Sequence, residues 1–216
     1  MDIEAPFDQF KTLYKDKKLS DYDKPFIKDG VNNPDLFAKQ KTKVLFIAKE
    51  HNYIGDHDDQ TYAADYRVWS KQGIYLQFAH RLSEWAYGLM NNFPPYEQLT
   101  NKNKHEALQS IAFINVKKAS GNASANPEHI CQYIIASQSL LHQQITTISP
   151  TLIVCCFRYD YYVEILFDIK MKRANSNAYS LGKWDNMDII NFYHPSARKN
   201  KKVLYQQLAE AYQHII

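Results

Sequence analysis

Apolar residues along the chain fall into two kinds of pattern. Short unbroken runs recur at VLFIA (44–48), IAFINV (111–116), TLIVCCF (151–157) and MDIINF (187–192). Runs of that length, rich in β-branched and aromatic residues, predict buried strands. Between them lie stretches with apolar residues at helical spacing. IYLQFAHRLSEWAYGLMN (74–91) is amphipathic, and KVLYQQLAEAYQHI (202–215) closes the chain in the same way. Residues 127–147 predict a long helix, with Asn126 as its cap, Pro127 at its first position and Glu128 in its first turn. A further helix is expected over 159–171. Residues 1–42 are polar, with Lys- and Asp-rich pieces and a turn signal at DGVNNPD, and predict a short helix and loop wrapping the rest.

Strands without strict alternation, separated by helices, predict a three-layer α/β/α sandwich around a four-stranded, mainly parallel sheet. Its crossovers should be right-handed. A chain of 216 residues suits one domain, with 1–42 as its extension. In such sheets ligands gather beyond the carboxyl ends of the strands. Those ends therefore decide the chemistry.

The first strand is followed by Lys49-Glu50-His51-Asn52-Tyr53. The second ends on Asn115, then Lys117-Lys118. The third runs into Phe157-Arg158-Tyr159. The fourth runs into Tyr193-His194-Pro195-Ser196-Ala197-Arg198. A carboxylate, a carboxamide and an imidazole thus come from distant parts of the chain to one predicted edge, with basic residues around them. Each has a plain alternative. Glu50 serves as well for a helix cap or a lysine partner, Asn115 for a turn residue, His194 for a loop histidine, and Lys117-Lys118 for a solvated pair. Their coincidence at one edge is what argues for a site.

Composition narrows the classes. A net charge of +3 excludes a strongly basic tail-type binder and leaves a local basic patch open. Cys131, Cys155 and Cys156 form no CxxC pair and no zinc or iron–sulfur spacing. Reduced thiols, no apolar stretch near the ~20 residues of a membrane span, and an N-terminus without signal-peptide order predict a soluble, cytoplasmic protein, expected to be a monomer. No cofactor and no metal are expected.

The segments FIAKEHN (46–52), FINVKK (113–118) and FYHPSAR (192–198), in that order on alternating elements, resemble the uracil-DNA glycosylase superfamily, in particular a divergent bacterial branch of it. The likeness spans roughly residues 43–200. In that family the first motif handles water, an Asn after a middle strand reads the base, and a His-Pro-Ser turn follows the last strand. The first motif usually reads Gly, any residue, Asp/Asn/Ala, then Pro. Here Ala48, Lys49, Glu50 and His51 stand there, so Glu50 takes the water-handling position while the Gly and Pro are missing. The iron–sulfur branches use four Cys, which this chain lacks.

The resemblance implies a monofunctional DNA glycosylase acting on a base flipped out of duplex or single-stranded DNA, uracil or another damaged or modified base, in repair or in defence against foreign DNA. Glu50 and His194 would be catalytic: the carboxylate favours a cationic sugar and orients water, and the imidazole donates to the leaving base. Asn115 would read the base edge, with Tyr53 first choice as the covering aromatic and Phe157 and Tyr193 behind it. Lys117, Lys118, Ser196, Arg198 and Arg158 would contact DNA, with Lys199, Lys201 and Lys202 adding backbone attraction. No lysine is set as a Schiff-base nucleophile, so lyase chemistry is not expected.

Three other readings stand beside it. EHNYIGDHDD packs Glu50, His51, Asp56, His57, Asp58 and Asp59 into one run, the ligand types of a metal-dependent nuclease or hydrolase, although its Gly-Asp core also reads as a surface turn. The divergent first motif suits a catalytically inactive nucleic-acid-binding module. A sugar-nucleotide enzyme would need a Gly-rich phosphate loop, which follows none of the predicted strands.

Overall fold

The computed structural model describes residues 5–53 and 64–215. Its helices are α1 (Ala5–Asp16), α2 (Pro34–Ala38), α3 (Tyr66–Trp69), α4 (Gln77–Met90), α5 (Asn101–Gln109), α6 (Pro127–Ile148), α7 (Asp160–Phe167) and α8 (Lys201–Gln213). Its strands are β1 (Gly30–Val31), β2 (Val44–Ala48), β3 (Ala112–Asn115), β4 (Leu152–Cys155), β5 (Lys172–Arg173), β6 (Ser180–Trp184) and β7 (Met187–Asn191). They form one mixed sheet in the order β1-β3-β2-β4-β7-β6-β5.

The expected four-stranded sheet is therefore too small. The strands read from the apolar runs are β3, β2, β4 and β7, mutually parallel at the centre. Three further strands add antiparallel edges: β1 beside β3, and β6 and β5 beyond β7. Those strands are short or half-exposed, so no apolar run announces them. A two-residue turn, Asp185-Asn186, joins β6 to β7, because Trp184 pairs with Met187.

Alternation along the central strands divides the core. Val44, Phe46, Ala48, Phe113, Val154 and Ile190 face the layer of α4, α5 and α8. Leu45, Ile47, Ile114, Ile153, Cys155 and Ile189 face α1, α6 and α7. Fully burying a large apolar side chain contributes roughly 1.5–3 kcal/mol, so a one-residue slip of any central strand would forfeit several such terms at once. Cys155 and Cys156 are buried thiols. Asn126 caps α6 as expected, accepting from the Glu128 and His129 amides. Among the described residues no helix is long and apolar enough to cross a membrane.

Candidate functional site

Strand parity carries side chains past the strand ends. Residues that follow Phe46 and Ala48 by twos lead to Glu50. Phe113 leads to Asn115. Ile190 and Phe192 lead to His194. All three series belong to the face covered by α4, and Glu50, Asn115 and His194 line one cavity of about 540 Å³ at that edge. Small-molecule pockets typically span about 300–1,000 Å³.

Asn115 is 1% exposed, and neither its Oδ1 nor its Nδ2 has a partner among the described residues. Leaving such a group unpaired costs roughly 1–3 kcal/mol, and native structures pair most of them. Its backbone is fixed from behind. The Asn115 amide donates to Asp29 Oδ2 at 2.8 Å. Asp29 also receives Lys118 Nζ at 2.7 and 2.9 Å and Gln144 Nε2 at 3.0 Å. Lys118 and Asp29 are both fully buried. Burial pushes the Lys118 ammonium down, and the Asp29 charge opposes that shift.

His194 is held by its own turn. The Ser196 amide donates to Nδ1 at 3.2 Å. Burial, helped by the Lys49 charge, lowers the imidazole to about 4. A neutral ring that accepts at Nδ1 carries its proton on Nε2. The ring lies 5.7 Å from that of Phe78, another cavity residue. The turn itself is anchored to α4, because the Arg81 guanidinium donates to the Ala197 and Lys199 carbonyls.

Glu50 receives Lys117 Nζ at 2.6 Å on Oε2, and Lys117 is among the described residues its one hydrogen-bond partner. Lys117 in turn reaches Asp21 Oδ2 at 2.7 Å and is 1% exposed. One ammonium between two carboxylates fixes the Glu50 side chain and leaves Oε1 for a small polar guest. Gly121 gives it room: a Cβ there would lie 2.1 Å from the carboxylate carbon.

The walls are aromatic. Tyr66, Trp69, Phe78 and Phe113 line the cavity. Tyr66 and Phe113 centroids are 4.6 Å apart, and Phe78 meets Phe113 edge-on at 5.6 Å. Tyr66 Oη is 3.0 Å from His51 Nδ1, and burial lowers the His51 imidazole. Asp65 sets this wall by capping α3 through the Arg67 amide and pairing with its guanidinium at 2.6 Å. A flat polar guest between aromatic rings would meet a carboxylate, a carboxamide and an imidazole donor at its edges.

Several expected site residues lie elsewhere. Phe157 is fully buried in the opposite core, because it follows Ile153 and Cys155 by twos. It cannot cover a guest. Tyr53 is not among the lining residues, and its amide donates to the Gly121 carbonyl at 3.2 Å. The covering role passes to the four aromatics above, of which Phe78 and Phe113 were visible only as core positions. Lys117 and Lys118 are not a solvated pair and face no outside partner, since each is buried against carboxylates. Arg158 is half-buried over the Tyr193 ring at 4.7 Å, and Lys199 lies over the same ring at 5.0 Å. Ser196 lines the cavity mouth and Arg198 is exposed beside it. Of the acidic segment considered for metal, Asp56, His57, Asp58 and Asp59 lie outside the described residues.

No protein-family model matches the chain, and no curated protein matches it significantly.

Proposed function

We propose that the chain is a monofunctional DNA glycosylase of uracil-DNA glycosylase type, cleaving the N-glycosidic bond of a nucleotide whose base enters this cavity. The observation that carries the reading is the Asn115 carboxamide, buried and unpartnered, in one cavity with Glu50 and His194. A carboxamide offers a donor and an acceptor side by side, which complements the edge of a base. The aromatic walls suit its faces.

The chemistry follows from where charge develops. As the C1′–N bond breaks, its electron pair leaves with the base and the sugar becomes oxocarbenium-like. His194 Nε2–H donates to the base oxygen on which negative charge grows; a donor of this kind is worth about 2.7–4 kcal/mol. The imidazole is neutral at pH 7, so Nε2–H donates as an uncharged group. Glu50 favours the cationic sugar electrostatically and accepts a proton at Oε1 from the water that attacks C1′. Glu50 then gives that proton up through solvent as the departing base anion takes one, so the products are a neutral free base and an abasic sugar. The exposed Ser196, Arg198, Lys199, Lys201 and Lys202 supply hydroxyl and cationic groups for the adjoining phosphates.

The test is release of free base, detected by mass, from single and duplex strands carrying uracil, mismatched thymine, hypoxanthine or bulky modified cytosines, with a chelator present. Release of at least one base is expected. Tight binding with no release would instead assign an inactive binding module, and release abolished by the chelator would assign the metal-dependent alternative.

A further inference from the structure

The turn that follows β4 presents two tyrosines that the core does not use. Tyr159 is 58% exposed and Tyr161 39%. Their rings form a stacked pair, with centroids 6.0 Å apart and planes at 28°. Tyr161 continues onto the buried Tyr162 ring at 4.0 Å, and Tyr162 lies under the ammonium of Lys49, the neighbour of Glu50, at 5.4 Å. We propose that Tyr159 and Tyr161 are a stacking platform for unpaired bases of a single DNA strand beside the nucleotide in the cavity, so that the substrate is single-stranded. The inference rests on the glycosylase reading above for what enters the cavity.

The platform is held from behind. Asp160, between the two tyrosines, accepts from Arg173 at 2.7 Å, Ser180 at 2.9 Å and Asn191 at 2.8 Å, on β5, β6 and β7. Three strands thus grip the carboxylate, and the rings on either side of it stay at the surface. Arg158 just before them has φ +69°, in the left-handed region, and its amide donates to the Phe192 carbonyl at 2.8 Å. Strained backbone of this kind persists where the surroundings over-determine it, and it clusters at binding sites. The Phe192 bond also ties the platform to the strand that leads into His194. Cations stand beside the rings. The Arg158 guanidinium lies over Tyr193 at 4.7 Å, and the exposed Lys199 lies over the same ring at 5.0 Å. Exposed rings complement base faces, and cations complement phosphates. A single strand offers both at once. A duplex keeps its base faces inside the stack and offers the phosphates alone, so this surface selects the single strand as its occupant.

The test is fluorescence anisotropy with a labelled thymidine strand of about twelve nucleotides, within the site sizes of stacking grooves, used alone and annealed to its complement. The variants are Tyr159→Ala/Tyr161→Ala and Tyr159→Phe/Tyr161→Phe, each checked for parental thermal unfolding. The parent should bind the single strand more tightly than the duplex. The alanine variant should lose about ten-fold or more on the single strand, the scale of lost base–aromatic stacking. On the duplex it should lose under about three-fold, since that affinity comes from phosphate contacts. The phenylalanine variant should keep the parental affinity. An alanine variant that binds the single strand like the parent, an equal loss on both strands, or a parent that prefers the duplex overturns the platform. So does a parental dimer that the alanine variant abolishes with single-strand affinity kept, which gives the pair to a second copy. Base release is measured separately, on the same strand carrying each candidate base. Stacking on the tyrosines with no release from any strand overturns the glycosylase reading and leaves the platform to an inactive binding module. Release by a parent whose affinity ignores the tyrosines overturns the platform alone.

Discussion

His194 and Asn115 carry opposite kinds of tension. His194 is held neutral by burial and by the Lys49 charge, at about 4 against an ordinary value near 6.5. Between those values the unfolded chain binds a proton that the folded chain refuses. The contribution of this group to stability is therefore fully present above about pH 6.5 and is lost as pH falls towards 4. Nitrogen-15 NMR should show the His194 Nε2–H tautomer unchanged from pH 5 to 8, and a titration near 6.5 would remove the neutral donor from the mechanism. Asn115 is strained by lack of partners rather than by charge. Asn115→Ala removes two unsatisfied buried atoms, so thermal or denaturant unfolding should show the variant as stable as the parent or about 1 kcal/mol more stable. Its kcat/KM for base release should fall at least ten-fold. A variant destabilised by several kcal/mol with unchanged kcat/KM would make Asn115 a structural residue.

At the scale of elements, the site is a consequence of four parallel strands ending together. Their apolar runs are plain in the sequence, and so were Glu50, Asn115 and His194 as groups just beyond them. Parity was equally legible: it places Phe157 with Ile153 and Cys155, away from the cavity. What could not be read was which cations are buried. Lys117-Lys118 looks like any solvated pair, because the carboxylates that bury it, Asp21 and Asp29, sit about ninety residues upstream in a polar segment. The aromatic wall was hidden for a similar reason. Tyr66 and Trp69 lie in a polar stretch without apolar periodicity, and Phe78 and Phe113 are indistinguishable in sequence from core positions. The Asp29–Lys118 pair gives this scale its prediction. Asp29→Ala strands a buried ammonium and frees the loop behind Asn115, so denaturant unfolding should show a loss of about 3–5 kcal/mol. Lys102→Ala, exposed on α5, should cost under about 1 kcal/mol. Equal effects at the two sites would remove the buried network as the anchor of β3.

Across the whole molecule, the segment before β2 is a working part of the site rather than a wrapping. It supplies Asp21 to the Lys117 clamp and Asp29 to the Asn115 backbone, and the Lys28 backbone bridges the segment around Asp65 beside the aromatic wall, donating to the Ala64 carbonyl and accepting from the Tyr66 amide. Glu50 and Asn115 thus both lean on the N-terminal segment, through Lys117 and Asp29, and the His194 turn leans on α4 through Arg81. The central claim is that these three side chains act on one base in one cavity. It is tested most directly by single-turnover base release from a single-stranded oligonucleotide, comparing the parent with Glu50→Gln and His194→Ala at matched folded fraction. The account predicts a fall of about 10²–10³ in the rate of the chemical step for His194→Ala and of about 10²–10⁴ for Glu50→Gln. Release at the parental rate by both variants would contradict it.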